Sequence, residues 1–274
     1  MTAVTLAAED WRAHGGRAPF ALRHGLADDS RLATEPVARL AGRLPATSVE
    51  MNQSDLDPLH GADGGMALDR SAEEIAREIA ALRRWMALKN IEQVPDYRRL
   101  VDEGLDAADL GLGLGPAMTA REGYLFLSAA ASVTPAHVDH EHNLLLQVRG
   151  TKTVTVGSFP DAERERAVME GMHSGRYGRT GFPPHAPRTF TLTPGTGVYI
   201  PPRAVHMVET HDDLSLSLSL VFHTRDLDRA ALVYAVNAKL RRVGLTPRPP
   251  GRSRAADTAK ASIARSWRAV RRAI

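Results

Sequence analysis

The chain has 274 residues, 43% hydrophobic and 24% charged, a composition that supports a sizeable core and excludes global disorder. It holds no cysteine, which excludes disulfides, thiolate metal sites and a cysteine nucleophile. The formal net charge of +3 is unevenly spread: eleven Lys and Arg face one acid, Asp257, from Lys239 onward, while the preceding residues hold 24 basic and 31 acidic groups, a net of −7.

No apolar run approaches the roughly 18 residues of a membrane span. The N-terminus, MTAVTLAAEDWRAHGG, lacks the charged and apolar regions of a secretory signal, so a cytoplasmic address is expected. Arg31 to Leu44 reads as a helix, with Thr34 as N-cap, Glu35 and Pro36 in the first turn, and Val37, Leu40 and Leu44 at helical spacing. Pro45 to Gly65 is polar and broken by Pro58 and glycines, which predicts loop with at most short strands. Ser71 to Leu82 begins with a capping box, Ser71 to Glu74, and carries Ile75, Ile79 and Leu82 on one face. Trp85 to Ile91 reads as a buried strand, and Pro95 to about Leu105 as a short helix. The run Gly111 to Pro116 reads as a linker.

From Gly123 the pattern changes to short apolar segments: Tyr124–Ser128, Asn143–Arg149, Lys152–Val156, Thr189–Leu192, Gly197–Ile200 and Leu214–Phe222. Their spacing, with Pro and Gly turns between them, predicts a barrel or sandwich. Leu214–Phe222 alternates Leu with Ser, so its polar face points either to solvent or into a wet cavity. A helix is expected from about Asp226 to Val243, capped by Thr224 or Asp226 and stopped by Gly244. A proline-rich connector and a basic helix, Asp257 to Arg272, follow. The basic tail reads as a solvated helix, and no helix-turn-helix precedes it, so nucleic acid is not an expected partner.

The densest chemical cluster is Thr134-Pro-Ala-His137-Val-Asp139-His-Glu-His142-Asn143. In extended chain His137 and Asp139, two apart, share a face. A further histidine, His206, follows an apolar strand and a Pro-Pro turn. Two imidazoles and one carboxylate leave metal positions open for substrate and oxygen, the arrangement of non-haem Fe(II) oxygenases, although Mn, Co, Ni and Zn also accept it. Glu141 has the parity to point inward beside Asp139. His140 and His142 are expected to face solvent or a partner, because Gln147 stands where the His-x-His cupins need a glutamate.

The segments Thr134–Val156 and Gly195–His206 resemble the JmjC-like branch of the cupin superfamily, which includes the asparaginyl hydroxylase acting on hypoxia-inducible factor. The resemblance covers roughly residues 85–225. It implies a mainly β fold, a double-stranded β-helix (cupin or jelly-roll) core with N-terminal and C-terminal helices. The implied organisation is an N-terminal region over residues 1–84, a catalytic barrel over 85–225 and C-terminal helices over 226–274. It further implies Fe(II) held by His137, Asp139 and His206, and 2-oxoglutarate as cosubstrate. Lys152 matches the lysine pairing with the distal carboxylate of 2-oxoglutarate, Thr134 a hydroxyl sharing that carboxylate, and Asn143 a cavity-lining amide. Tyr124 is a candidate for the family's upstream tyrosine, and Ser217 or Ser219 for a polar residue on the strand after the last ligand.

The implied activity is hydroxylation of a C–H bond in a peptide or protein side chain, or in a small metabolite, with release of succinate and CO2. The competing reading is a non-oxidative metal-binding cupin, an isomerase or sugar-binding module, in which Lys152 and Thr134 have no role. Residues Leu227, Ala230, Ala231, Tyr234 and Ala238 form a stripe widened by Leu232, Val233 and Val236, more apolar surface than the barrel wall can cover, which predicts a homodimer through this helix, the alternative being burial against the N-terminal helices of the same chain.

Overall fold

The computed structural model describes residues 4–5, 11–13, 16–60, 65–176, 178–211 and 214–272, with side chains to residue 267. Much of the N-terminal stretch read for a signal, and residues 61–64 of the expected loop, lie outside the described residues.

Twelve strands among the described residues form two antiparallel sheets. They are β1 (Val4–Thr5), β2 (Phe20–His24), β3 (Val49–Gln53), β4 (Arg84–Lys89), β5 (Thr119–Ala129), β6 (Val133–His137), β7 (His142–Arg149), β8 (Lys152–Ser158), β9 (His185–Leu192), β10 (Thr196–Ile200), β11 (Val205–Thr210) and β12 (Leu214–His223). The major sheet runs β1-β2-β10-β7-β12-β5-β4-β3 and the minor sheet β6-β11-β8-β9. Facing each other, they make the expected double-stranded β-helix. Residues before 84 contribute β1 and β2 at one edge of the major sheet and β3 at the other.

The two faces of the major sheet do different work. Its outer face carries Leu144, Leu146, Leu216, Leu218, Leu220 and Phe222 into the main apolar core. There they meet α1 (Thr34–Arg43) through Val37 and Leu40, and α3 (Pro95–Leu112) through Leu100, Val101 and Leu105. Each fully buried leucine contributes about 1.5–3 kcal/mol of transfer free energy. The inner face turns Leu145, Val198 and Ile200 toward Val154, Val156 and Val208 of the minor sheet. The alternation of β12 is thereby explained. Its leucines face the helices, and Ser215, Ser217 and Ser219 face the barrel interior, fully buried rather than solvated.

Several elements differ from expectation. Ala33, not Thr34, is the N-cap of α1; Thr34 is its first helical residue and accepts a hydrogen bond from Arg149. Helix α2 (Ala72–Glu78) is shorter than expected but keeps the capping box, with both Ser71 and Glu74 bonds formed. Helix α3 runs on to Leu112, absorbing the start of the glycine-rich run, and Gly113 closes it with φ +64°. Gly104 does not break it: a Cβ there would sit 2.5 Å from Leu220 Cδ1, so the glycine is what lets α3 lie against β12. Helix α4 (Ala162–Met172) had no apolar stripe to announce it.

Helix α5 (Arg225–Arg242) matches its expected range, with Thr224 at the N-cap position and Gly244 in the left-handed region beyond its end. The apolar surface of α5, from which a homodimer is expected, is covered at least in part within the chain. Tyr234 of α5 packs on Ala136, Val138 and Val205 of the barrel, while Leu232 and Val236 pack on Ala261 and Ala264 of α6 (Arg254–Arg272). The second cover is the chain's own last helix, and Arg241 further ties α5 to Glu170 of α4 at 2.9 Å. None of the helices, among the described residues, is long and apolar enough to cross a membrane.

Candidate metal centre and cosubstrate cavity

Strand register brings the metal candidates together. His206 of β11 is the direct antiparallel partner of His137 at the end of β6, and their ring centroids are 4.0 Å apart. Asp139 lies two residues past β6, just before the bend at His140, and its carbonyl accepts the Arg203 N–H at 2.9 Å. That bond fixes the aspartate against the Pro-Pro turn that delivers His206. Val138 N–H bonds Gly178 O at 2.9 Å, an approach so close that a Cβ on residue 178 would collide with the Val138 carbonyl.

One donor atom from each of His137, Asp139 and His206 lies within 4.8 Å of the others, and among the described residues no further cluster of this kind occurs. Both rings are oriented from behind. His137 Nδ1 is 2.8 Å from Pro135 O, and His206 Nδ1 is 3.0 Å from Ala204 O. Each Nδ1 must therefore carry the proton, which leaves Nε2 with its lone pair toward Asp139. The Nε2 to Asp139 Oδ2 distances are 3.9 Å for His137 and 3.4 Å for His206. Burial, with His206 beside it, holds the His137 imidazole below its usual range, in the neutral form a metal requires. Burial opposes ionisation of Asp139, but the two imidazoles outweigh it and keep the carboxyl well below the ordinary range. Two imidazoles and an ionised carboxylate, an N2O donor set with open positions, fit Fe(II) and its neighbours in the first transition row.

Behind the triad is an inner cavity of about 50 Å³, lined by Thr134, Asn143, Lys152 and Ser219 together with the three metal candidates. Lys152 opens β8 and is only 4% exposed. Its Nζ is 3.5 Å from Ser128 Oγ and 5.9 Å from the Phe126 ring centroid, and among the described residues it makes no ion pair. Burial pushes it down to about 7. Asn143 Oδ1 and Ser219 Oγ are buried without hydrogen-bond partners. Unpaired buried groups of this kind are costly, and two of them in one cavity with a buried amine mark a place for a polar ligand. A dicarboxylate whose keto-acid end reaches the triad meets a lysine and a hydroxyl at its far end. The residues thus fit 2-oxoglutarate.

Ser219, not Ser217, is the serine of this cavity. Ser217 donates to Gln147 Oε1 at 2.7 Å, and Gln147 Nε2 donates to Ser215 Oγ and to the carbonyls of Arg149 and Gly150. Gln147 is a structural amide spanning β7 and β12.

Outside the triad the cavity widens to a mouth lined by Glu50, Trp85, Lys89, Tyr124, Glu141 and Arg179. Tyr124, the strand partner of Ser219, lines this mouth, and its hydroxyl donates to Glu122 at 2.6 Å. Glu141 does face inward, as its parity predicts, and burial together with Asp139 pushes its carboxyl up to about 8. Trp85, Glu50 and Arg179 were missed in the sequence, where they carry no motif.

His140 and His142 do not face solvent. His142 stacks on Phe222 with centroids 4.6 Å apart, and its Nδ1 lies 2.7 Å from Tyr199 Oη. Because the Tyr199 hydroxyl donates to Gly16 O, His142 is the donor in that pair. His140 sits edge-on to His173 at 4.5 Å and to His223 at 5.6 Å. Burial pushes both His140 and His142 down to about 4. The start of α5 covers this cluster, with Asp228 bonded to His223 at 2.8 Å.

Residues 114–229 match the family model described as JmjC domain. No curated protein matches the sequence. Among solved structures, the X-ray structure of E. coli ycfD aligns with TM-score 0.55 at 14% identity, over 96% of this chain and 68% of that one. Escherichia coli ribosomal oxygenase YcfD aligns at 0.54 and 15%, over 95% and 66%. YcfD in complex with cobalt and 2-oxoglutarate aligns at 0.53 and 14%, over 96% and 66%. At such identity the likeness is one of fold, and the chain spans about two thirds of the length of these proteins. The two sheets face each other across the His-Asp-His cluster, and the stretch of chain that holds it, residues 114–229, fits the JmjC domain family model.

Proposed function

We propose that this chain is an Fe(II)- and 2-oxoglutarate-dependent oxygenase that hydroxylates a C–H bond of a protein side chain. The observation that carries the reading is the buried Lys152, without an ion pair among the described residues, in the same cavity as the His137, Asp139 and His206 donors. A non-oxidative cupin has no use for that lysine.

His137 Nε2, His206 Nε2 and one Asp139 oxygen hold the metal. When bound, iron and 2-oxoglutarate supply the oxidant, with succinate and CO2 as coproducts. The Pro135 and Ala204 carbonyls keep both imidazoles in the ligating tautomer. Lys152 and Ser219 bind the distal carboxylate, and Thr134 and Asn143 border it. The apolar inner walls, Leu145, Ile200 and Val208, exclude water from the reacting end. Tyr124, Trp85, Glu141 and Arg179 form the wall against which the substrate is oriented. A macromolecular substrate is favoured by the charged and aromatic lining of that mouth, Glu50, Trp85, Lys89 and Arg179, and by the description of the aligned E. coli protein as a ribosomal oxygenase.

The test is anaerobic titration with Fe(II), then with 2-oxoglutarate. A metal-to-ligand charge-transfer band that appears only with both supports the reading; iron binding with no band on adding cosubstrate contradicts it.

A further inference from the structure

The environment of Lys152 has a consequence for how the cosubstrate enters, resting on the function proposed above. Among the described residues no acid forms an ion pair with the amine. From β5 it meets Ser128 at 3.5 Å and Phe126; from β12 and β7 the nearest cavity groups are the neutral Ser219 and Asn143. The titratable groups of the same cavity are His137, Asp139 and His206, and the Asp139 carboxylate is set toward the two Nε2 atoms, where the metal would bind, and makes no ion pair with Lys152. A bound divalent metal adds further positive charge. An isolated ammonium in such surroundings pays the full desolvation penalty, and an amine relieves it by giving up its proton.

We propose that Lys152 is held as a neutral amine in the empty cavity and takes up one proton from solvent when a dicarboxylate enters, so that cosubstrate binding and proton uptake are a single event. The balance is simple: the Nζ lone pair accepts H⁺, the amine becomes an ammonium, and the entering carboxylate supplies the charge that keeps it so. Burial that lowers Lys152 to about 7 agrees with this geometry. The device also sets specificity. A keto monocarboxylate reaches the metal equally well but brings nothing to stabilise the ammonium, so it binds without the proton.

The test is calorimetry of the Fe(II)-loaded protein under argon, titrated with 2-oxoglutarate in buffers of differing ionisation enthalpy. The slope of observed enthalpy against buffer enthalpy counts protons. Uptake of about one proton is expected at about pH 8.5, falling to about one half near pH 7 and to little near pH 5.5. The apparent Kd should rise about tenfold per pH unit above 7. 2-Oxopentanoate, with the same chelating end and no distal carboxylate, should take up none. K152M should bind 2-oxoglutarate more weakly and with no proton uptake. Binding of 2-oxoglutarate to the parent protein without protons at about pH 8.5 overturns the inference and leaves the oxygenase reading standing. Equal uptake with 2-oxopentanoate also overturns it, by moving the proton to the metal end. No binding of 2-oxoglutarate at all overturns the oxygenase reading and the inference together.

Discussion

Two stretches of the barrel interior, one directly below the other on β7 and β12, use the same kinds of residue to opposite ends. At the floor, Gln147 satisfies Ser215, Ser217 and two backbone carbonyls, leaving nothing for a ligand. Beside the triad, Asn143 and Ser219 leave polar atoms unpaired and Lys152 makes no ion pair among the described residues. A fully bonded amide network stiffens the barrel, and an unfinished one is a site. The difference lies in partners rather than residue types.

Substitutions at the two levels should therefore separate stability from binding. The largest effect is expected above, at the metal. Asp139→Ala should abolish stoichiometric Fe(II) binding while the circular dichroism spectrum is retained, and undiminished iron affinity would remove Asp139 from the donor set. Next comes Lys152→Met, which should weaken 2-oxoglutarate by about 1.5–3 kcal/mol, roughly tenfold to a hundredfold in Kd.

That variant also tests the sign of a pH effect. The folded-state pKa of Lys152 lies below its unfolded value, so between about 7 and the ordinary lysine range the unfolded chain binds more protons. The ligand-free protein should gain stability as pH rises through that window. Denaturant melts at several pH values should show the gain in the parent and its loss in Lys152→Met.

At the floor the pattern should reverse. Gln147→Leu leaves Ser215 and Ser217 unpaired, and should cost about 1–3 kcal/mol in chemical denaturation with little change in cosubstrate affinity. The smallest effect is expected from Ser219→Ala. Removing an unpaired hydroxyl should leave the melting temperature within error and weaken 2-oxoglutarate a few-fold; a stability loss matching that of Gln147→Leu would erase the distinction between the two levels.

The metal candidates were legible because short-range spacing suffices for them. His137 and Asp139 share a face wherever the chain is extended, and the Pro-Pro turn announces His206. Lys152 was legible through its place after the Gly150 turn. The choice between Ser217 and Ser219 was not, since perfect alternation is silent on register, and β12 shifts against β7 between Leu216 and Ser217. His142 was misjudged because a strand buried on both faces leaves no side for solvent; the opposite parity to Asn143 sends it onto Phe222. The extent of α3 was hidden by Gly104 and Gly111, which look like breakers until Leu220 is seen to need the space. The destination of the apolar surplus on α5 depended on α6 folding back across a proline-rich connector, a long-range event that no local pattern encodes.

The account rests on one ligand geometry, and diffraction from crystals soaked with cobalt and 2-oxoglutarate tests it most directly. An anomalous peak between His137 Nε2, His206 Nε2 and the Asp139 carboxylate is predicted, with the distal carboxylate of 2-oxoglutarate hydrogen-bonded to Lys152 Nζ and Ser219 Oγ. Metal bound away from these three residues, or a cosubstrate that leaves Lys152 without a partner, would contradict it.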